Sequence, residues 1–190
     1  LIVFQKEVRT FLLYLGKKTM DWQEGPLNSI FSIKKGKTPK KEEEIFDICI
    51  TACKNLSIQK TGALIVFAAP GELNIPELKG VEIDAKVSRS LIETIFNKNV
   101  LLHDGAAIIV KGRLKAAGSV LPLSENASMP VRLGTRHRAA LGITENTNVT
   151  VLIVSEETGK ISVAREGRLF ENLNENQIKM LLLRRKMNQE

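Results

Sequence analysis

The chain has 190 residues, 43% hydrophobic and 26% charged, with a net charge of +7. These proportions suit a globular domain with its own core, and they exclude a disordered tail, a collagen-like repeat and a polytopic membrane protein. No run of about 18 apolar residues is present, so no complete transmembrane helix is expected in this sequence.

Residues 1–16 place Phe4, Val8, Phe11, Leu12 and Leu15 on one helical face, closed by Gly16. Residues 17–41 contain Gly25-Pro26, Lys34-Lys35-Gly36-Lys37 and Pro39 and read as a connector. The domain boundary is therefore placed after residue 41, with a compact domain over 42–190. Glu42 to Lys60 reads as a helix that buries Ile45, Ile48, Cys49, Ala52 and Leu56. The two cysteines are expected to be buried thiols. Gly62 to Ala68 is a continuous apolar run, hence a buried strand, followed by a Pro/Gly loop over 69–80. Ser88 to Asn97 reads as a helix burying Leu91, Ile92, Ile95 and Phe96. Ala106–Val110 and Lys115–Leu121 read as a hairpin turning at Lys111-Gly112. A loop with two prolines covers 122–134, and Thr135 is expected to cap a short helix reaching about Gly142. Val149–Val154 and Lys160–Arg165 read as a second hairpin, and Asn174 caps a last helix burying Ile178, Leu181 and Leu182. This order predicts an α/β fold: a central mixed sheet flanked by helices on both sides.

The charge is uneven. Residues 1–41 hold nine Lys/Arg against three Asp/Glu, and 184–190 hold three against one. The body between them is close to neutral. A nucleic-acid partner is not expected, because such domains carry a basic stripe on the body. Basic ends suit an anionic membrane surface or serve as solvated tails.

Two segments stand out for chemistry. In Leu102-His103-Asp104-Gly105-Ala106-Ala107 a carboxylate sits where the chain enters a buried strand, followed by residues small enough for a ligand to reach the backbone. The competing reading is an Asp-Gly turn. In Gly134-Thr135-Arg136-His137-Arg138-Ala139-Ala140 three basic residues fall in a first helical turn, where cations oppose the helix dipole. A bound anion is the natural compensation, and two guanidinium forks with free amides make a polyphosphate cradle. The alternatives are a solvated basic patch or arginines paired to glutamates. A carboxylate for a proton or a divalent metal and a cradle for phosphates are the minimal equipment for phosphoryl or nucleotidyl transfer. Neither GxxxxGK[ST] nor GxGxxG occurs.

Asp104-Gly105-Ala106 and Arg136-His137-Arg138 resemble the two signatures of the diadenylate cyclase family, the DAC or DisA-N domain. The likeness extends to Leu101-Leu102-His103, Leu121-Pro122-Leu123-Ser124, Leu133-Gly134-Thr135, Ala139 to Ile143 and Val154 to Gly159, and it spans roughly 42–170. The Phe4-Gln5 opening resembles the membrane-anchored, CdaA-type subclass, in which transmembrane helices precede this point. The resemblance implies condensation of two ATP into cyclic di-AMP and two pyrophosphates, each 3′-hydroxyl attacking the other ATP's α-phosphate across a face-to-face homodimer. By the same carry-over Asp104 and Arg136 are catalytic. Gly105, Ala106, Leu121, Thr135, Arg136, His137, Arg138, Ser155 and Glu156 bind the nucleotide, Leu121 packing on the adenine. Asp104 and His103 hold Mg²⁺ or Mn²⁺. It implies a membrane-anchored protein whose catalytic domain faces the cytoplasm. Val120 stands where that subclass often has an aromatic residue. The reading from another class is a regulatory module that binds ATP or a dinucleotide without turnover.

Overall fold

The structure is a computed structural model, and it describes residues 39–125 and 133–184. The helix expected over 1–16, nearly all of the 17–41 connector and the middle of the 122–134 loop lie outside these residues.

Seven strands form one mixed sheet between helices. Helix α1 (Pro39–Ile58) leads into β1 (Ala63–Ala68). Then come β2 (Val81–Lys86), α2 (Arg89–Ile95), β3 (Ala106–Val110) and β4 (Arg113–Ser119). Helix α3 (Thr135–Glu145) precedes β5 (Thr150–Val154), β6 (Ile161–Arg165), β7 (Arg168–Phe170) and α4 (Glu175–Arg184). The spatial order is β2-β4-β3-β1-β5-β6-β7. Among the described residues only β1 and β3 pair in parallel, with Ile65 opposite Ala107; β5 runs antiparallel to β1, with Ala63 opposite Val154.

Strand alternation divides the core in two. Ala63, Ile65 and Phe67 of β1 face α1, α2 and α4, where they meet Cys49, Ile50, Cys53, Ile92, Phe96, Ile178 and Leu182. Leu64, Val66 and Ala68 face the other layer, with Ala139, Ala140 and Ile143 of α3. All six β1 residues are buried, which is why this strand reads as an unbroken apolar run. Each large aliphatic or aromatic side chain so placed contributes roughly 1.5–3 kcal/mol. Phe46 of α1 meets Phe67 edge to face, with ring centroids 5.3 Å apart. Cys49 and Cys53 are free and buried in this layer. Burial pushes both thiols up, Cys53 to about 12, and Cys49 is raised further by its neighbour Cys53.

Local chemistry sets the element ends. Pro39 opens α1, three residues earlier than expected, as proline does at a first helical position. Ser88 caps α2 through its hydroxyl, which accepts from Leu91 N at 3.3 Å. Asn174 caps α4 reciprocally: its Oδ1 accepts from Gln177 N at 3.0 Å, and Gln177 Oε1 accepts from Asn174 N at 2.9 Å. Ile178 and Leu182 are buried as expected, whereas Leu181 is only partly buried. The β3–β4 turn uses left-handed Lys111 and Gly112, with φ of 49° and 71°.

Two strands were not expected. Val81–Lys86 alternates apolar and polar residues as an edge strand, and β7 follows a second left-handed turn at Glu166-Gly167. The edge strand is bulged between Glu82 and Ala85. There Asp84, at φ 44°, turns its carboxylate onto the neighbouring strand. Its Oδ1 accepts from Arg113 Nε at 3.0 Å and from Lys115 Nζ at 2.6 Å. These two hydrogen bonds, the Arg113 bond first, lower the Asp84 carboxyl from 3.8 to about 2. A lowered carboxyl stabilises the fold above its unfolded value and stops doing so as pH falls through its folded one. An NMR titration will therefore find the Asp84 midpoint near 2, and Arg113→Ala will move it back towards 3.8.

Candidate functional site

The pairings bring several strand ends to one rim of the sheet. Ala63 opposes Val154 and Ala106 opposes Ser119. The amino ends of β1 and β3 thus lie beside the carboxyl ends of β4 and β5. Open α/β sheets usually bind ligands at the carboxyl ends of their parallel strands. Here both singled-out segments lie at the amino ends of the parallel pair.

Asp104 ends a short 3-10 turn, Leu101–His103, and enters β3 with its side chain exposed. Gly105 follows at φ 138°. A methyl group on Gly105 would sit 2.5 Å from the Gly118 carbonyl carbon and 2.8 Å from Ser119 O. Gly118 lies in a β4 bulge at φ 65°. The Asp-Gly pair is therefore more than a turn: backbone seated on backbone fixes where Asp104 leaves the sheet. The His103 ring nitrogen Nδ1 donates to Val100 O at 2.6 Å, which leaves Nε2 as the nitrogen able to ligate a metal.

Across the rim, α3 begins without a side-chain cap. Gly134, not Thr135, is its N-cap, in an extended conformation with φ −68° and ψ 172°. Glycine is tolerated there because the position needs no helical backbone, and it brings no hydroxyl to satisfy the first amides. Thr135 becomes the first helical residue and is exposed. No acidic side chain sits in this first turn. Arg136 turns inward, with its side chain 18% exposed. Its Nη1 donates to Glu156 Oε2 at 2.7 Å, while its Nε is buried without a partner among the described residues. His137 is buried, and Arg138 is exposed and reaches Ser124 O at 3.5 Å.

The α3 start and the β5–β6 loop enclose a cleft of about 140 Å³. Thr135, Arg136, His137, Ser155 and Glu156 line it together. Asp104 and His103 stand on the same rim but outside its lining, and Arg138 points elsewhere. Ala106 and Leu121 belong to the second core, and at the end of β4 Val120 presents the exposed side chain. Lys160, Ser162 and Glu171 also line the cleft and were not foreseen. Ser162 is 1% exposed and its hydroxyl has no hydrogen-bond partner among the described residues. Its signal in the sequence is a polar residue inside an apolar strand.

The donor set suits a hard divalent ion that arrives with phosphates. Among the described residues no three His, Cys, Asp or Glu side chains gather around one point. Magnesium is commonly held by one or two carboxylates, substrate phosphates and water, so the exposed Asp104 carboxylate fits this role and His103 Nε2 could supplement it.

Comparison with known proteins identifies the family. The family described as DAC, DisA bacterial checkpoint controller nucleotide-binding, matches residues 50–169. The chain belongs to the DAC family. A diadenylate cyclase of Listeria monocytogenes is 34% identical over 97% of this chain and 64% of its own. The cyclic di-AMP synthase CdaA of Bacillus subtilis is 35% identical over 96% of this chain and 63% of its own. The DAC chain described here thus spans less than two thirds of the length of these relatives. A crystal structure of DacA from Staphylococcus aureus, a double cysteine mutant, superimposes with a TM-score of 0.72 at 38% identity, covering 77% of this chain and 97% of that one. The crystal structure of a hypothetical membrane spanning protein from Bacillus cereus gives 0.62 at 37% identity over 66% of this chain and 61% of that one. The expected α/β architecture is thus that of a DAC domain.

Replacing Gly105 by alanine combines a left-handed backbone with a backbone clash. Gly105→Ala will lower unfolding stability by about 2 kcal/mol or more in urea titrations.

Proposed function

We propose that this DAC domain is a diadenylate cyclase: it condenses two ATP into cyclic di-AMP and two pyrophosphates. The observation that carries this reading is one sheet rim with an exposed carboxylate, Asp104, and an uncapped basic helix start with a partly unsatisfied guanidinium, Arg136. The names of the Listeria and Bacillus relatives add to it.

In this mechanism the triphosphate lies in the cleft at the α3 amino terminus. Thr135 and the first-turn amides bind it, with Ser155 across the cleft. Each 3′-hydroxyl oxygen forms a bond to the α-phosphorus of the other ATP, and the bond from that phosphorus to the leaving pyrophosphate breaks. Asp104 takes up the hydroxyl proton and releases it to solvent. Arg136 offsets the negative charge that builds on the α-phosphate oxygens. Asp104 and His103, with the phosphates, would hold Mg²⁺ or Mn²⁺, which when bound would supply further charge neutralisation and a more acidic hydroxyl. Gly105 and Ala106 keep the nucleotide wall low, and His137 lines the cleft from the first turn of α3.

One domain offers a single nucleotide site, so two copies face each other for turnover. Leu101, 95% exposed, and Val120, 63% exposed, give this rim the apolar surface that suits a second copy. The full-length protein is anchored to the cell membrane with this domain in the cytoplasm. The basic residues of 1–41 suit that placement, and no described helix is long and apolar enough to cross a membrane.

The test is incubation with ATP and Mn²⁺ or Mg²⁺, read by mass spectrometry. Wild type will form cyclic di-AMP. Asp104→Asn will bind ATP normally and lose turnover by about 10²-fold or more; equal loss of both would remove the carboxylate from the proton step. Specific activity will rise with enzyme concentration in the dilute range, whereas a constant value down to fully monomeric protein would exclude the face-to-face arrangement.

A further inference from the structure

Gly62 is 74 residues from Arg136 in sequence and lies directly against it in space. It is the last residue before β1 and is buried. A methyl group on Gly62 would stand 2.8 Å from Arg136 Cζ, 2.8 Å from Nη1 and 3.0 Å from Nε. All three of the nearest atoms belong to this one guanidinium. Carbon that close cannot be accommodated without moving the group. No left-handed φ is involved at Gly62, so an alanine backbone fits there. The missing side chain therefore serves the guanidinium and not the turn.

The other contacts of Arg136 do not fix the group. Its Nε is buried without a partner among the described residues. Its Nη1 is paired with Glu156, a carboxylate that is 53% exposed and free to follow a displaced arginine. The guanidinium occupies the space that a Gly62 side chain would fill.

We infer that Gly62 is a positioning residue: by lacking a side chain it seats the Arg136 guanidinium where the nucleotide phosphates bind. The inference rests on the diadenylate cyclase reading, in which Arg136 touches the α-phosphate. A displacement of about 1 Å in such a group is enough to lower turnover by about 10²-fold. Gly62 touches no nucleotide atom in this scheme and acts only through Arg136.

The test uses the 190-residue chain as wild type, Gly62→Ala, Arg136→Ala and the double variant. Binding of a non-hydrolysable ATP analogue is measured by calorimetry, kcat and KM by product formation, and Tm by circular dichroism. Gly62→Ala is expected to weaken analogue binding less than about tenfold and to lower kcat about 10–100-fold. The double variant should match Arg136→Ala, because the contact that Gly62 serves is already gone. If Gly62→Ala lowers Tm, adding Arg136→Ala should restore it by removing the clash; an unrestored Tm overturns the inference. Wild-type binding and turnover in Gly62→Ala also overturn it, as does an equal further loss on top of Arg136→Ala. In those cases the cyclase reading stands. A wild type that binds no analogue removes that reading and this inference together.

Discussion

The parallel pairing of β1 with β3 is the constraint on which the rest of the molecule depends. Two parallel strands cannot be joined by a tight turn. The chain must leave β1, build β2 at the far edge of the sheet, pass through α2, and return to the starting rim. That return brings the entrance of β3, with Asp104, beside the entrance of β1, with Gly62. Because β5 runs antiparallel to β1, its exit and the Ser155–Glu156 loop arrive at the same rim. The residues with chemistry come from four separate stretches of chain, and one strand register gathers them.

Helix α3 follows a different logic. Three basic residues in a first turn, with no acidic side chain and no cap, are unfavourable for an isolated helix. The buried face compensates. Ala139, Ala140 and Ile143 pack into the second core, and that packing holds the helix start in place without help from its own electrostatics. Stability is supplied on one side of the helix, which leaves its end open to an anion. Local disagreement with propensity is expected at functional or strained positions.

Much of this was legible beforehand. The apolar run at Ala63–Ala68, the helix faces and the Lys111-Gly112 turn each follow a periodicity or a turn chemistry that a single sequence displays. The edge strand Val81–Lys86 was harder, because its side chains are largely exposed and only alternation marks it. Strand β7 is three residues long, too short for any period, although Glu166-Gly167 repeats the Lys111-Gly112 pattern. At the site, Asp104 and Arg136 could be picked out because carboxylate-glycine and clustered arginines are locally unusual. Gly62 could not, since it matters only through a neighbour distant in sequence, and Ser162 offered only a polar residue inside an apolar strand. The cap moved from Thr135 to Gly134 because a hydroxyl residue is the commoner choice, and the chain here uses the bare one.

The loop after β4 gives the rim a further property. A Cβ on Gly142 of α3 would lie 2.3 Å from Pro122 O and 2.6 Å from Ser124 N. The loop is thus pressed into the helix, and Ser124 N donates to Arg138 O at 3.0 Å. The end of β4 and the helix bearing Arg136 are in this way parts of one template of fixed span. A molecule bridging them meets two walls already set at their working separation. Walls already ordered by folding lower the entropic cost of binding.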